Sequence, residues 1–172
     1  MSQEFNIKIH GRAFFLRPDT PKEGTMRNPR PGEEDGLLAE PLRTYASEAG
    51  LIMRRPKLTP YTITALEATE HAQQKGKFLS FHHSMYKALW EEGKDLGNPS
   101  VLREIAEESD LAWDELEGKL ATGHYRKTVQ EQHQQAMDMG VHGIPAFLIG
   151  DTLFTGAQPY EVFEKAVYRA LG

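Results

Sequence analysis

The chain contains no cysteine, so its own side chains supply neither a thiolate nucleophile nor a disulfide. Its seven histidines are the next chemical resource. His82 and His83 fall on one helical segment, His71 on the one before, and His124 and His133 downstream. Adjacent histidines point about 100° apart on a helix, and no two are four residues apart, the separation that puts two ligands on one helix face. Surface or capping roles are expected, and no metal centre. Glu91-Glu92 and Glu107-Glu108 are neighbours on helices and do not face each other, so they read as solvated faces rather than an acid–base pair. Trp90 and Trp113 lie at helical spacing; packing explains both, and Trp90 is kept as a cleft candidate.

Ile144-Pro145, followed by an apolar run, is the segment of most interest. A proline opening a buried strand costs no ladder hydrogen bond and is a position where a cis bond occurs. His142 and Gly143 precede it directly.

The elements that would position these residues follow from periodicity. Ile7, Ile9 and Ala13 to Leu16, with Lys8, His10 and Arg12 between the first of them, predict a strand over residues 6–16. Residues 17–36 are rich in proline and glycine and read as a long loop. Leu37, Leu38, Leu42, Tyr45, Ala46 and Ala49 predict a helix ending at Gly50. Thr64-Ala-Leu-Glu67 has capping-box spacing, and helical patterns then continue to residue 139, one of them opened by Asn98-Pro99. Gly143-Ile-Pro-Ala-Phe-Leu-Ile-Gly150 and Thr152 to Thr155 predict a β-hairpin, and Pro159 opens a last amphipathic helix. The division expected is an α/β core from residues 1–60 and 140–172, interrupted by a helical subdomain at 61–139.

With 172 residues the chain can bury a proper core, and its formal charge of −5 disfavours nucleic acid as a partner. No Lys/Arg cluster in the sequence offsets that charge. No segment approaches the roughly 20 apolar residues of a membrane span. The first residues are polar and acidic, unlike a signal peptide, and a cytoplasmic location is expected.

Gly140-Val-His-Gly-Ile-Pro-Ala-Phe-Leu-Ile-Gly150, Thr155-Gly-Ala-Gln-Pro159 and Val162-Phe163 together resemble the C-terminal half of DsbA-like thioredoxin-fold proteins. The branch most similar is the FrnE-type group of dithiol oxidoreductases, which shades into the 2-hydroxychromene-2-carboxylate isomerase and kappa-class glutathione transferase group. Phe15-Leu-Arg-Pro-Asp19, Ala65-Leu-Glu-Ala68, Gly76-Lys-Phe78, Trp90-Glu-Glu-Gly93, Asp95-Leu-Gly97 and Tyr125-Arg126 extend the resemblance over nearly the whole chain.

The resemblance implies an α/β, thioredoxin-like (DsbA-like) fold with an all-α insertion and without its first β-α unit, the unit that in the family carries a Cys-Pro-x-Cys type site. It implies a cis Pro145, an Ile144 backbone that pairs with an extended peptide or thiol substrate, and Gly156, Ala157 and Gln158 near the same cleft. Glutathione-using relatives tend to have a charged residue where this chain has Ala157 or Gln158. A redox-inactive oxidoreductase homologue with a substrate ledge is the expected function, with no catalytic residue of its own and no cofactor. The alternatives are a glutathione-dependent isomerase or transferase and a non-catalytic interaction module. Because the absent first strand is central in the family's sheet, its loss would leave costly unpaired backbone groups. Either the strand of residues 6–16 shifts inward to pair with residues 146–149, or a second copy of the chain supplies strands across a dimer interface, and a homodimer is expected.

Overall fold

A computed structural model describes residues 4–33 and 36–172. Among the described residues, seven helices and two two-stranded sheets form in the order β1 (Thr25–Met26), α1 (Leu42–Glu48), β2 (Leu58–Thr59), α2 (Ile63–Gln74), α3 (Phe78–Trp90), α4 (Pro99–Glu108), α5 (Trp113–Ala121), α6 (Arg126–Asp138), β3 (Ala146–Ile149), β4 (Thr152–Thr155) and α7 (Tyr160–Leu171).

The main core lies among α2 to α5. Ala65, Ala68 and Ala72 on α2 are buried at helical spacing, and Phe81, Met85 and Ala88 on α3 repeat the pattern. Leu102, Ile105 and Ala106 of α4 and Trp113 and Leu116 of α5 close the cluster. The small α2 side chains let its neighbours approach, and Phe81 fills the space between them without solvent exposure. Asn98 caps α4 as its sequence implies, its side chain accepting from the Ser100 N–H at 2.9 Å.

β3 and β4 form an antiparallel hairpin in the register Ala146↔Thr155 to Ile149↔Thr152. Gly150 adopts φ 60°, the left-handed conformation that a turn with glycine in first position requires. Phe147 and Phe154 lie on the hairpin face that meets α7, where Phe163 packs edge-on to both, with ring centroids 4.8 and 5.0 Å apart. Ala166 and Val167, one turn further on, are the buried residues of α7.

Several sequence expectations are corrected. Residues 6–16 form no strand. The backbone N–H groups of Gly11, Ala13 and Phe15 donate instead to side chains, Gln73 Oε1 at 2.7 Å, Gln132 Oε1 at 2.7 Å and His133 Nδ1 at 3.3 Å. Alternate amides of an extended segment are thus held by α2 and α6 in place of a neighbouring strand. Gly11 lies so close to Phe78 that any Cβ there would meet the ring.

The helix expected from Leu37 begins only at Leu42, because Pro41 intervenes and disfavours helical backbone in the residue before it. The Thr64/Glu67 capping box does not form. Thr64 lies inside α2, and Glu67 is buried and paired with Arg126. Pro159 is the N-cap of α7 rather than its first residue. The loop at 17–36 contributes β1, which pairs Thr25 with Thr59 and Met26 with Leu58. Among the described residues no helix is long and apolar enough to cross a membrane.

Candidate functional site

The hairpin positions the residues expected to form a ledge. With a two-residue turn, Ile149 and Thr152 form a hydrogen-bonded pair, and such pairs alternate along an antiparallel ladder. Phe147 with Phe154 is then the next, and Pro145 with Gly156 the one after. The Gly156 N–H donates to the Pro145 carbonyl at 2.8 Å, in agreement with that phase. Ala146 and Leu148 fall between these pairs, so their N–H and C=O groups point away from β4, along the open edge of β3. The apolar side chains beside that edge are exposed, Ile144 to 46% and Leu148 to 54%.

The Ile144–Pro145 peptide bond is cis, as is Glu40–Pro41. Gly156 joins Pro145 through the bond just described, and Gln158 Nε2 donates to the Thr155 carbonyl at 2.8 Å. His142, Ala157 and Gln158 are exposed, and Gly143 and Gly156 are half-buried. Seven expected positions thus lie on the loop ahead of β3 or just after β4, and the Gly156–Pro145 bond ties the two segments together. Trp90 is not among them. It lies half-buried at the end of α3 under the Arg55 guanidinium, 5.8 Å from the ring centroid, and no hydrogen bond or ring contact among the described residues links it to the ledge.

Trp90 instead lies beside a site that the sequence did not reveal. Among the described residues, a cavity of about 660 Å³ opens between residues 27–29, Glu33, Gly36, the segment of residues 54–57 and the turn after α3. Arg27, Arg54, Arg55 and Lys57 contribute to its wall. These cations come from two separate stretches of chain, so no run of sequence shows them as a cluster. The β1–β2 pairing and the adjoining bond from the Arg27 N–H to the Lys57 carbonyl, 2.9 Å, bring them together.

Glu33 lies at the base of that cavity, 2% exposed, with Oε1 2.6 Å from Arg55 Nη2. Burial alone would push its carboxyl up, but the Arg30 N–H and the charges of Arg55 and Arg27 hold it below the ordinary carboxylate range. Burial and the nearby guanidiniums of Arg55 and Arg17 lower the pKa of Arg27. Glu91 and Glu92, read as a solvated helix face, line the cavity because α3 ends at Trp90 and both lie beyond its last turn.

A third polar group is internal. His71 and Glu67, four residues apart on α2, are each 1% exposed. His71 Nδ1 lies 3.0 Å from the Tyr125 hydroxyl, which donates onward to Gln74 Oε1 at 3.2 Å. This corrects the expectation that the histidines serve as surface or capping residues, and His133, which stacks on Phe15 with ring centroids 4.7 Å apart, corrects it again.

The comparisons with known proteins agree with this architecture. The chain is 25% identical over 166 residues to the uncharacterized protein YwbO of Bacillus subtilis, covering 94% of this chain and 82% of the relative. It is also 25% identical to the ClpXP adapter protein SpxH of Bacillus subtilis, covering 96% of this chain but 60% of that protein's length. Among solved structures, a probable DsbA oxidoreductase from Streptomyces coelicolor superposes with a TM-score of 0.79 at 23% identity, over 93% of this chain and 74% of that one. The model of the DsbA-like thioredoxin domain matches residues 1–168, and the chain belongs to that family.

Proposed function

We propose that this chain is a DsbA-family homologue that performs no thiol–disulfide exchange with its own side chains and holds an extended peptide along the open edge of β3. The observation that carries the reading is that edge itself, where the outward N–H and C=O groups of Ala146 and Leu148 lie beside exposed apolar side chains. An extended peptide adds to such an edge as a further strand, its backbone giving affinity and its alternate side chains specificity. Ile144 and Leu148 offer apolar contacts to those side chains. Thiol–disulfide exchange requires an attacking thiolate, and the chain has no cysteine to provide one.

Two measurements test the two halves of the proposal. In an insulin-reduction assay with dithiothreitol, the protein is expected to add nothing to the reagent's own rate, and turnover above that rate would overturn the inactive reading. For the ledge, reduced and alkylated insulin B chain is expected to shift the amide resonances of Ala146 to Ile149. Ala146→Pro deletes an edge donor and leaves the β3–β4 ladder whole. It should weaken that binding by roughly 0.5–1.5 kcal/mol, the net worth of one hydrogen bond. Unchanged amide resonances at saturating peptide would remove the ledge.

A second reading has its own support. SpxH is named as an adapter protein, which favours a non-catalytic interaction module that engages a folded partner. Binding that requires a folded protein and is indifferent to Ala146→Pro would select it over the peptide ledge.

A further inference from the structure

We propose that the segment of residues 8–14 takes up an extended acidic peptide as an added strand, on its side away from α2 and α6. The N–H groups of Gly11, Ala13 and Phe15 face those helices, whose side chains accept them. Backbone groups of successive residues point to opposite edges of an extended chain, so those of Arg12 and Phe14 point outward. Neither residue's N–H or C=O makes a hydrogen bond among the described residues. Arg12 is exposed and Phe14 half-buried, so a second chain can reach the row. Main-chain groups left open in this way are what an added strand pairs with. The site is separate from the β3 edge, because residues 11–15 are held by α2 and α6 whereas the hairpin rests on α7.

Charge selects the occupant. Lys8, His10 and Arg12 alternate along the segment, so they share one of its faces, and all three are exposed. The sequence has no acidic residue between Glu4 and Asp19. Lys8 and Arg12 make no ion pair among the described residues, and the Arg12 guanidinium donates to the neutral side chain of Gln135. The carboxylates around the segment are engaged elsewhere. Glu4 accepts from the Tyr160 hydroxyl, and Glu70 from Gln132 Nε2 at 2.8 Å. On α6, one turn either side of Gln135, Glu131 pairs with Lys127 at 3.5 Å and Asp138 accepts from Gln134 at 2.8 Å. Opposite charges directly across a strand pair attract and like charges repel, so aspartate or glutamate fits the face of Lys8, His10 and Arg12. The other face offers Ile9, 55% exposed. The occupant that matches both faces is a peptide in which acidic and apolar residues alternate.

The test is an NMR titration of the full chain at low ionic strength with a capped peptide of about eight residues, a usual strand length, that alternates glutamate and valine. Its lysine–valine counterpart forms the second arm. The glutamate peptide is expected to bind saturably, to shift the amide resonances of Arg12 and Phe14 and to slow their hydrogen exchange, and the lysine peptide is expected not to bind. Lys8→Gln and Arg12→Gln should each weaken binding roughly two- to fivefold, the worth of one opposite-charge cross-strand pair. Lys8 is exposed and in no ion pair, so Lys8→Gln reads the charge should Arg12→Gln disturb the contact with Gln135. Arg103→Gln, on α4 with its side chain 59% exposed, serves as the charge-matched control and is expected to bind as the unmodified protein does. Shifts confined to Ala146–Ile149 would place the peptide on β3 and overturn this site while leaving the other. No binding, equal binding of both peptides, unchanged exchange at Arg12 and Phe14, or equal weakening by Lys8→Gln and Arg103→Gln would overturn it as well.

Discussion

His71 is buried on α2 with Glu67 and three alanines, and its surroundings decide its protonation. Burial lowers its pKa, the Glu115 charge raises it in part, and Lys75, Lys119 and His124 lower it again, leaving it below the ordinary histidine value. The folded protein therefore favours the neutral ring. The unfolded chain takes up a proton near pH 6.5, so the associated stability is fully present above that pH. It is lost as the pH falls from about 6.5 through the lower folded value. Melting temperature followed from neutral to mildly acidic pH should drop more steeply for the native protein than for His71→Gln. At neutral pH the variant should be less stable by about 1–3 kcal/mol, because the buried Tyr125 hydroxyl loses a partner. Parallel pH profiles would mean that His71 does not carry this dependence. The sequence shows the four-residue spacing of Glu67 and His71 but not the partners that permit their burial. Tyr125 and Arg126 lie more than fifty residues away, so periodicity along α2 carries no trace of them.

At the scale of elements, the parts legible in the sequence are those whose hydrogen bonds are local. The helices from α2 to α6 follow from apolar spacing, and the β3–β4 hairpin from a Gly-Asp turn between two short apolar runs. Residues 11–15 were not legible for the opposite reason. Their alternation suits a strand, but a strand is defined by its partner, and here the partners are side chains from two helices. Gln132 is central to that arrangement, accepting from the Ala13 N–H while its Nε2 donates to Glu70 at 2.8 Å. Gln132→Ala leaves the buried Ala13 amide unpaired and should cost about 1–3 kcal/mol in denaturant unfolding. Hydrogen exchange should also quicken at Gly11, Ala13 and Phe15 before the rest of the fold opens. Uniform loss of protection across the chain would show instead that this segment unfolds only with the whole. Asn98→Ala makes a contrasting case. The lost cap at α4 should cost about 1 kcal/mol and leave exchange at residues 11–15 unchanged.

At the scale of the whole molecule, burial is uneven. The main apolar cluster lies among α2 to α5, whereas the hairpin and α7 rest largely on three phenylalanines, with Leu148, Leu153, Tyr168 and Leu171 exposed around them. Exposed apolar side chains beside an open strand edge are the features that invite a second chain. The pairing suited to two identical molecules is β3 against β3 across a two-fold axis, because an antiparallel pair of identical strands satisfies Ala146 and Leu148 of both at once. Self-association and peptide binding would then compete for one edge. Sedimentation velocity at micromolar concentration is expected to show a dimer, and insulin B chain in excess is expected to shift it toward monomer. Leu148→Lys places a charge on the edge, a device that blocks edge-to-edge pairing, and should give a folded monomer. A native chain that sediments as a folded monomer throughout would dispose of the dimer and leave the edge to the peptide alone.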